Sequence, residues 1–377
     1  MNTSKRFTRR SFLQSTSALA AAPFFLPSSV WSAEKGPNEK IVMGFIGVGT
    51  QARGLLNGFI RSKETQVVAV CDVDTTRRES AKKTVDDYYT KQSGQDYKGC
   101  IEYKYFRELI ARKDIDAVCV ATPDHWHAIP VVMAADAGKD IYCEKPLSLT
   151  IYEARTMAKA VRRNNRVFQT GSMQRSSSEF HKACELVRNG RIGKVQQVIV
   201  DVGPPSKWCD LAEEEMEPGL DWNFWLGPAP TRPYNSVLSP RGVHKHFPNW
   251  RNYREYSGGM MTDWGAHHFD IAQWGLGMDE SGPVEIIPPE DPKAAKGVKY
   301  IYANGVEVIH GDSGGVLFVG TEGKILVNRG KFKADPEKIA EDPIPENGVR
   351  LYKSTNHQTD FLSCIRSRKR PICDVEV

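Results

Sequence analysis

The pattern of apolar and polar positions changes once along the chain, near residue 172. Before that point, short apolar runs alternate with longer stretches that have helical character. The runs include "KIVMGFI", "QVVAVCDVD", "DIDAVCVATP", "DIYCEKP" and "RVFQTGSM". Continuous apolar runs of this length are typical of strands buried on both faces of a parallel sheet. The pattern predicts a doubly wound parallel sheet over residues 40–172.

Between these runs, the sequence predicts helices over residues 55–60 and 75–91. A further helix ends at Gly138, and Thr150 with Glu153 forms a capping box that opens a helix running to about residue 163. The stretch after residue 91 predicts an irregular insertion before the next strand.

After residue 172, strand-like runs follow one another without long helices between them. Examples are "KVQQVIVDVG", "GVEVIHG" and "GGVLFVGTEGKILV". This spacing predicts an α+β domain over residues 173–377, with a large, open, mostly antiparallel sheet and helices on one side. The segment "PVEIIPPEDPKAAKG" predicts a surface loop.

The N-terminus has the order of a secretory signal. Arg9 and Arg10 precede a moderately apolar run, and small residues follow near residue 33. The arginine pair indicates the twin-arginine route, with a signal peptide over residues 1–33 and a linker over 34–39. The apolar run is shorter than the roughly 20 residues that span a bilayer. We therefore expect an exported, periplasmic protein that meets the twin-arginine machinery and has no stable membrane anchor.

Composition narrows the possible partners. A chain of 377 residues with 40% hydrophobic and 26% charged residues is ordinary for a globular protein. The net charge of +5 is spread without a basic block, which argues against nucleic acid as a partner. Cysteines within the apolar runs predict buried thiols. Only Cys364 and Cys373 remain open as a disulfide pair.

A glycine-rich loop follows the first strand directly. Gly47, Gly49 and Ala52 fit G-x-G-x-x-[GA], in which the backbone approaches a pyrophosphate at a helix N-terminus. Asp72 ends the second strand 25 positions later (72 − 47), where an acidic residue binds the ribose hydroxyls and repels a 2′-phosphate. The loop predicts NAD rather than NADP. The predicted cofactor site comprises Gly47, Gly49, Thr50, Gln51, Ala52, Asp72, Thr122, Pro123, His127, Glu144 and Lys145.

Three residues are candidates for catalysis. Lys145 follows a buried strand at the carboxyl end, where it would face the nicotinamide ring and shuttle a proton. Asp263 and His267 are four positions apart, so in one helix the carboxylate would orient the imidazole and stabilise its protonated form. These groups predict oxidation of an alcohol.

A segment of mixed aromatic and polar residues, "GVHKHFPNWRNYREYSGG", suits a sugar, because rings stack on its apolar faces. A packed loop with snorkelling arginines remains the alternative. No cysteine accompanies the histidines at the spacing of a zinc site, so no catalytic metal is expected. The predicted substrate-binding residues are His244, His246, Arg251, Asp270 and Trp208, and for Asp270 a capping role in the structure stays open as the alternative.

The motifs "GFIGVGTQARG", "VATPDHWH", "CEKPLSLT", "GGMMTDWGAHHFD", "FVGTEGKI" and "NHQTDFL" resemble, in this order, those of the Gfo/Idh/MocA oxidoreductases. The resemblance implies a Rossmann domain, an open-faced sheet domain that often forms dimers or tetramers, and carbohydrate or polyol substrates. It carries the family's catalytic residues onto Lys145, Asp263 and His267. Glycosidases of this family often change that lysine, which this chain keeps. Relatives usually continue past "RPICDVEV", so the resemblance implies a shortened C-terminus.

Together these features predict an exported NAD-dependent oxidoreductase acting on a sugar or polyol hydroxyl. Because free NAD is scarce outside the cytoplasm, we expect tightly bound NAD and a redox-neutral cycle. Two alternatives stay open: an NAD-dependent glycosidase, lyase or epimerase that oxidises its substrate transiently, and a non-catalytic sugar- or nucleotide-binding protein on the same fold.

Overall fold

The computed structural model describes residues 39–377, and Ile41–Val377 form one compact unit. The predicted signal peptide and the linker up to residue 38 lie outside the described residues. None of the helices within residues 39–377 is long and apolar enough to cross a bilayer.

The first half of the unit is built on six parallel strands in the order β3-β2-β1-β4-β5-β6. This order is that of a doubly wound dinucleotide-binding sheet, so the predicted fold class is confirmed. The strands are β1 (Ile41–Ile46), β2 (Thr65–Cys71), β3 (Ile101–Tyr103), β4 (Ala117–Val120), β5 (Asp140–Cys143) and β6 (Phe168–Thr170).

Helices cover both faces of this sheet. They are α1 (Thr50–Arg61), α2 (Thr75–Ser93), α3 (Phe106–Ile110), α4 (Ala128–Asp136) and α5 (Ile151–Arg163). The capping box of α5 is confirmed: the backbone N–H of Glu153 donates to the Thr150 hydroxyl, and that of Thr150 donates to the Glu153 carboxylate. The insertion predicted as irregular contains β3 and α3. A three-residue edge strand without a buried residue carries too short an apolar pattern to predict.

The second half is a seven-stranded sheet in the order β13-β12-β11-β7-β10-β9-β8. Only β7 and β10 pair in parallel, and the other neighbours are antiparallel, as predicted. The strands are β7 (Val195–Val200), β8 (Glu285–Ile287), β9 (Lys299–Ile301), β10 (Glu307–His310), β11 (Val316–Gly320), β12 (Lys324–Asn328) and β13 (Lys331–Asp335). The segment predicted as a surface loop contains β8, an exposed edge strand between proline-rich flanks.

Two helices pack on one face of this sheet, α6 (Ser178–Arg188) and α9 (Gly265–Leu276), and enclose a core around Phe180, Ile271 and Phe318. Two short helices, α7 (Trp222–Leu226) and α8 (Met260–Asp263), lie in the connection between β7 and α9.

The last helix, α10 (His357–Ser367), returns to the first half of the unit. Phe361 on α10 makes edge-to-face contacts with Phe59 and Tyr142, at ring-centroid distances of 6.4 and 5.8 Å. The core beneath the first sheet is therefore completed by residues far along the chain. All eight cysteines are free thiols, including Cys364 and Cys373.

Candidate active site

A cavity of about 660 Å³ opens at the carboxyl ends of the parallel strands, between the glycine-rich loop, α8 and the segment before it. This volume lies in the range of small-molecule and cofactor sites. Of the predicted site residues, the cavity is lined by Gly47, Gly49, Thr50, Gln51, Asp72, Thr122, Pro123, Glu144, Lys145, His244, Arg251, Asp263 and His267.

The glycine-rich loop has the backbone that the motif requires. Gly47 has φ +79°, and a Cβ there would lie 2.8 Å from the backbone of Ala121 and Thr122. At Gly49 a Cβ would meet no atom within 4 Å, so the backbone faces open space at the start of α1. Ala52 is fully buried. The loop therefore leaves room for a ligand against its backbone.

Asp72 lies at the end of β2, on the wall of the cavity. Its carboxylate accepts hydrogen bonds from the backbone N–H groups of Val48 (2.9 Å) and Asp74 (3.0 Å). Burial raises the pKa of Asp72, while nearby Arg77 and the two N–H groups act in the opposite direction. The carboxylate is thus fixed beside the glycine-rich loop, as predicted for a ribose-binding acid.

Thr122 and His127, both predicted for the cofactor site, differ in whether they line the cavity. Thr122 lines the cavity, and its buried hydroxyl has no hydrogen-bond partner within the described part of the chain. His127 does not line the cavity. It is fully buried, and its ring nitrogens lie 2.8 Å from the Pro146 carbonyl oxygen and 2.9 Å from that of Thr122. His127 therefore braces two loops instead of facing a cofactor.

These observations fit a dinucleotide. Open space at Gly49, the unpartnered hydroxyl of Thr122 and the fixed carboxylate of Asp72 offer a phosphate cradle, a polar contact and a ribose-binding acid in one cavity.

Glu144 joins the glycine-rich loop to the end of β5. Its carboxylate, 4% exposed, accepts hydrogen bonds from the Gln51 side-chain amide (2.9 Å) and the Lys145 backbone N–H (3.2 Å). Burial raises the pKa of Glu144.

Lys145 and Asp263 meet in the same cavity. The Lys145 ammonium donates to the Asp263 backbone carbonyl at 2.9 Å and also to the Asp263 carboxylate. The second carboxylate oxygen of Asp263 lies 3.6 Å from Nε of Arg251, whose guanidinium stacks on Trp250 at 4.2 Å. Asp263 therefore faces two cations.

His267 lines the same cavity but is not paired with Asp263, so the predicted orientation is wrong. Asp263 ends α8 and α9 begins at Gly265, and this break removes the four-residue helical register. Within residues 39–377, Nδ1 of His267 has no hydrogen-bond partner. Burial, with the positive charges of Lys145 and Arg329, holds the pKa of His267 well below its usual range. The low pKa favours the neutral imidazole, and the carboxylate contact that was expected to stabilise the protonated ring is missing.

Three predicted substrate-binding residues lie away from the cavity. His246 is exposed and contributes its backbone carbonyl, which accepts from the Thr50 hydroxyl at 2.9 Å. Trp208 is 66% exposed, with the Arg254 guanidinium 5.0 Å from its ring. The mixed aromatic and polar sequence pattern therefore could not distinguish residues at the surface from residues that line the cavity.

Asp270 is the third of these residues. It is bound by the buried Arg175, whose Nε donates to its carboxylate at 2.9 Å, and Arg175 also donates to Asp279 at 2.8 Å. This ion network holds α9 against the 3₁₀ turn Met173–Ser176. Asp270 therefore has a structural position, and its predicted contact with a sugar hydroxyl is not supported.

Other lining residues were not predicted. Asp124, within the "VATPDHWH" motif, accepts from the Ser257 hydroxyl at 2.6 Å, and burial raises its pKa to about 7. Arg329, in the turn between β12 and β13, and Gln174 also line the cavity. Asp124 could have been found from its motif, whereas Arg329 reaches the site only through tertiary packing. Residues 39–377 contain no cluster of three or more His, Cys, Asp or Glu placed to hold a metal ion.

Comparison with known proteins covers both halves of the chain. The family profile described as "Oxidoreductase family, NAD-binding Rossmann fold", of the Gfo/Idh/MocA group, matches residues 41–172. A second profile of that group, "Oxidoreductase family, C-terminal alpha/beta domain", matches residues 203–374.

Individual relatives align over shorter segments. The chain is 31% identical over 163 residues to Glycosyl hydrolase family 109 protein 2 of Shewanella sp. (strain ANA-3), which covers 39% of this chain and 35% of that protein. It is 26% identical over 244 residues to 1,5-anhydro-D-fructose reductase of Ensifer adhaerens, covering 64% of this chain and 59% of that protein. The chain thus matches less than two thirds of the length of either relative.

Among solved structures, myo-inositol 2-dehydrogenase from Lactobacillus plantarum superimposes with a TM-score of 0.57 and 20% sequence identity. The match covers 89% of this chain and 92% of that chain. At this identity, the likeness shows a shared fold.

Proposed function

The chain belongs to the Gfo/Idh/MocA family of NAD-binding oxidoreductases, and from that premise we propose that it oxidises a hydroxyl of a sugar or polyol with NAD. The observation that carries the proposal is the convergence of Lys145, Asp263 and His267 on one cavity, beside the glycine-rich loop. The names of the relatives, a sugar reductase and a polyol dehydrogenase among them, favour the same substrate class.

NAD, His267 and Lys145 have separate roles in the proposed oxidation. The glycine-rich loop and Asp72 would hold NAD, which would supply the hydride acceptor for the hydroxyl-bearing carbon. The hydroxyl proton needs a base, and the neutral imidazole of His267 can accept it because burial keeps that ring unprotonated. Lys145, aimed by its two hydrogen bonds to Asp263, donates a hydrogen bond to the substrate oxygen and stabilises the charge that develops there.

Two finer features belong to this proposal. The fixed carboxylate of Asp72 supports NAD over NADP, because it would repel a 2′-phosphate. The twin arginines of the sequence support export in the folded state, and we propose the periplasm as the working compartment.

A retained cofactor also has support. The covering loop, residues 239–247, lies across the start of α1 and is bonded to it at two points: the Thr50 hydroxyl donates to the His246 carbonyl (2.9 Å), and the Arg53 guanidinium donates to the His244 carbonyl. Arg77 on α2 donates to the carbonyl of Gly242 (3.3 Å) and the hydroxyl of Ser239 (3.2 Å). Several bonds would have to break before NAD could leave past this loop, which favours slow release and a redox-neutral cycle.

Homo-oligomerisation is part of the proposal as well. On the face of the second sheet opposite α6 and α9, partly exposed Ile309, Ile199, Leu317 and Leu326 lie side by side across four strands. An apolar row on an open sheet suits a second copy of the chain, and sedimentation velocity would test for a dimer or tetramer.

The test of the proposed activity is a screen of sugars, sugar acids and polyols with the purified mature protein and NAD, following the absorbance of reduced nicotinamide. We expect at least one compound to reduce NAD, and a transient oxidation would show as exchange of the carbon-bound hydrogen without net reduction. If NAD binds and neither reduction nor exchange occurs with any compound, the non-catalytic binding protein is the better description.

A further inference from the structure

Arg329 is a cation of the cavity whose hydrogen-bond partners occupy only some of its N–H groups. It lies in the turn between β12 and β13, lines the cavity with His267, and stacks its guanidinium on the Trp264 ring at 4.3 Å. Among residues 39–377, no carboxylate lies within ion-pair distance of Arg329. The buried Arg175, by contrast, is bonded to two carboxylates.

The hydrogen bonds of Arg329 leave two N–H groups of its guanidinium without a partner among the described residues. Nη1 lies 3.1 Å from Nε2 of His268, and both Nε and Nη2 donate to the Gln174 side-chain oxygen at 3.1 Å, with that amide oriented for bonding. A guanidinium has five N–H groups, so these contacts leave one on Nη1 and one on Nη2. An oxyanion such as a carboxylate can accept hydrogen bonds from these N–H groups.

The surrounding charge favours an anion. Asp263, which also lines the cavity, is already shared between Lys145 and Arg251. Five cationic side chains line the cavity, and four of them, Arg77, Lys104, Lys145 and Arg251, lie within 4 Å of a carboxylate, whereas in the described part of the chain Arg329 does not. Burial lowers the pKa of Arg329, because the charged form is poorly solvated there, while the charge of Asp263, which is not in contact with it, acts in the opposite direction. A partly buried cation with no carboxylate in contact is only partly compensated, and a bound anion would relieve that cost.

We propose that Arg329 binds a carboxylate of the substrate, so that the substrate class is an acidic sugar, such as a uronic acid or its glycoside. This inference rests on the proposed oxidation of a carbohydrate hydroxyl. The two unused N–H groups of Arg329 can donate to a carboxylate, and the Trp264 ring beside the guanidinium keeps it in one plane. The position next to His267 would hold the acid group at one end of the sugar while a hydroxyl lies at the reacting centre.

The experiment compares matched sugar pairs on the NAD-loaded protein: glucuronate with glucose, and galacturonate with galactose, with glucose 6-phosphate as a separate arm. We expect kcat/KM for a uronate to exceed that for its neutral partner at least 10-fold. Arg329→Gln should lower kcat/KM for the uronate by about 10- to 100-fold, because a charge-assisted contact is lost. Arg329→Lys keeps the charge without the fork and should fall in between.

Arg254→Gln is the matched control, because Arg254 stacks on Trp208 at the surface and does not line the cavity. It should leave the preference for the uronate unchanged. Thermal unfolding of each variant, and rescue by Arg329→Lys, separate a loss of recognition from a loss of the fold.

Other outcomes would overturn the inference. If wild type oxidises neutral sugars as well as uronates, or prefers the phosphate, Arg329 only braces His268 and Gln174, while the proposed oxidation still stands. If nothing is oxidised, calorimetry decides: uronate binding that Arg329→Gln abolishes supports the inference and rejects the proposed oxidation. Absence of uronate binding at millimolar concentration rejects the inference.

Discussion

Lys145 and Asp263, 118 positions apart in the chain, are joined by two hydrogen bonds, from the Lys145 ammonium to the carboxylate and to the backbone carbonyl (2.9 Å) of Asp263. The contact links the loop after β5 to the end of α8. Both side chains are nearly buried, with exposed fractions of 14% and 11%. The geometry therefore makes Asp263 a positioning residue for Lys145, not for His267.

The proposed chemistry predicts that Lys145→Ala and His267→Ala each lower kcat about 100-fold or more, because acid–base groups contribute about 10²- to 10⁴-fold. NAD should still bind, as measured by fluorescence titration. Lys207→Ala is a suitable control, since Lys207 pairs with Asp210 at the surface. Near-normal turnover in both site variants would remove these residues from the mechanism.

A double-mutant cycle distinguishes the two roles considered for Asp263. If Asp263 acts by holding Lys145, Asp263→Asn should lower kcat about 10-fold or more in wild type and add little in the Lys145→Ala background, because the two changes remove one shared contact. The measurement is kcat for the four proteins of the cycle. A further full loss in the Lys145→Ala background would mean that Asp263 works through His267 or directly on the substrate.

The positive charge on Lys145 also lowers the pKa of His267. After burial, that charge is the next largest cause of the low pKa of His267. Removing it in Lys145→Met should raise the pKa of His267, so that the ring binds its proton at a higher pH than in wild type. Histidine NMR titration, with His267→Gln to assign the resonance, measures the midpoint. An unchanged or lower midpoint would contradict the placement of the Lys145 ammonium beside the ring.

The choice of cofactor can be tested at Asp72. Asp72→Ser should weaken NAD binding and lower the ratio of NADP to NAD dissociation constants, because the group that bonds the ribose and repels a 2′-phosphate is gone. The cavity-lining Gly47 and Gly49 remain, so the phosphates keep their cradle. Equilibrium binding of both dinucleotides to both proteins gives the ratio. Equal affinities before and after the change would place Asp72 outside the cofactor site.

Local sequence patterns were sufficient to predict the part of the site that lies at the parallel sheet. The glycine-rich loop, Asp72 and Lys145 each follow a buried strand, and parallel strands bring their carboxyl ends to one edge of the sheet. Order along the chain and position in space therefore agree there. Seven strands of mixed direction could be predicted as a class, but their pairing could not, because β7 joins both β10 and β11 across more than a hundred residues.

The remaining site residues depend on packing that no short segment contains. The four-residue spacing of Asp263 and His267 suggested a helical pair, and the break at Trp264 removed it. Asp270 carries the same kind of side chain, yet the buried Arg175 holds it away from the cavity. Arg329 sits in an ordinary strand-to-strand turn, and only the folded sheet brings it to His267.

The last prediction concerns how NAD is kept. An exported dehydrogenase that released its reduced cofactor could not replace it, so the cofactor must be loaded before export, and its affinity must be nanomolar or better for residence over minutes to hours. Protein extracted from the periplasm and denatured should yield about one NAD per chain and should turn over without added cofactor. Arg53→Ala removes one bond to the covering loop and should speed NAD release about 10-fold, measured by trapping the released dinucleotide.

Arg61→Ala, at the exposed end of the same helix α1, is the control and should leave the release rate unchanged. The retained reduced cofactor must then pass its hydride to a second sugar or back to the oxidised one, so turnover should proceed without accumulation of free NADH. If the protein is extracted from the periplasm without bound NAD, works only with excess NAD and accumulates NADH, it is an ordinary dehydrogenase. In that case the bonds between the covering loop and α1 only order the loop, since they would not limit escape of the cofactor.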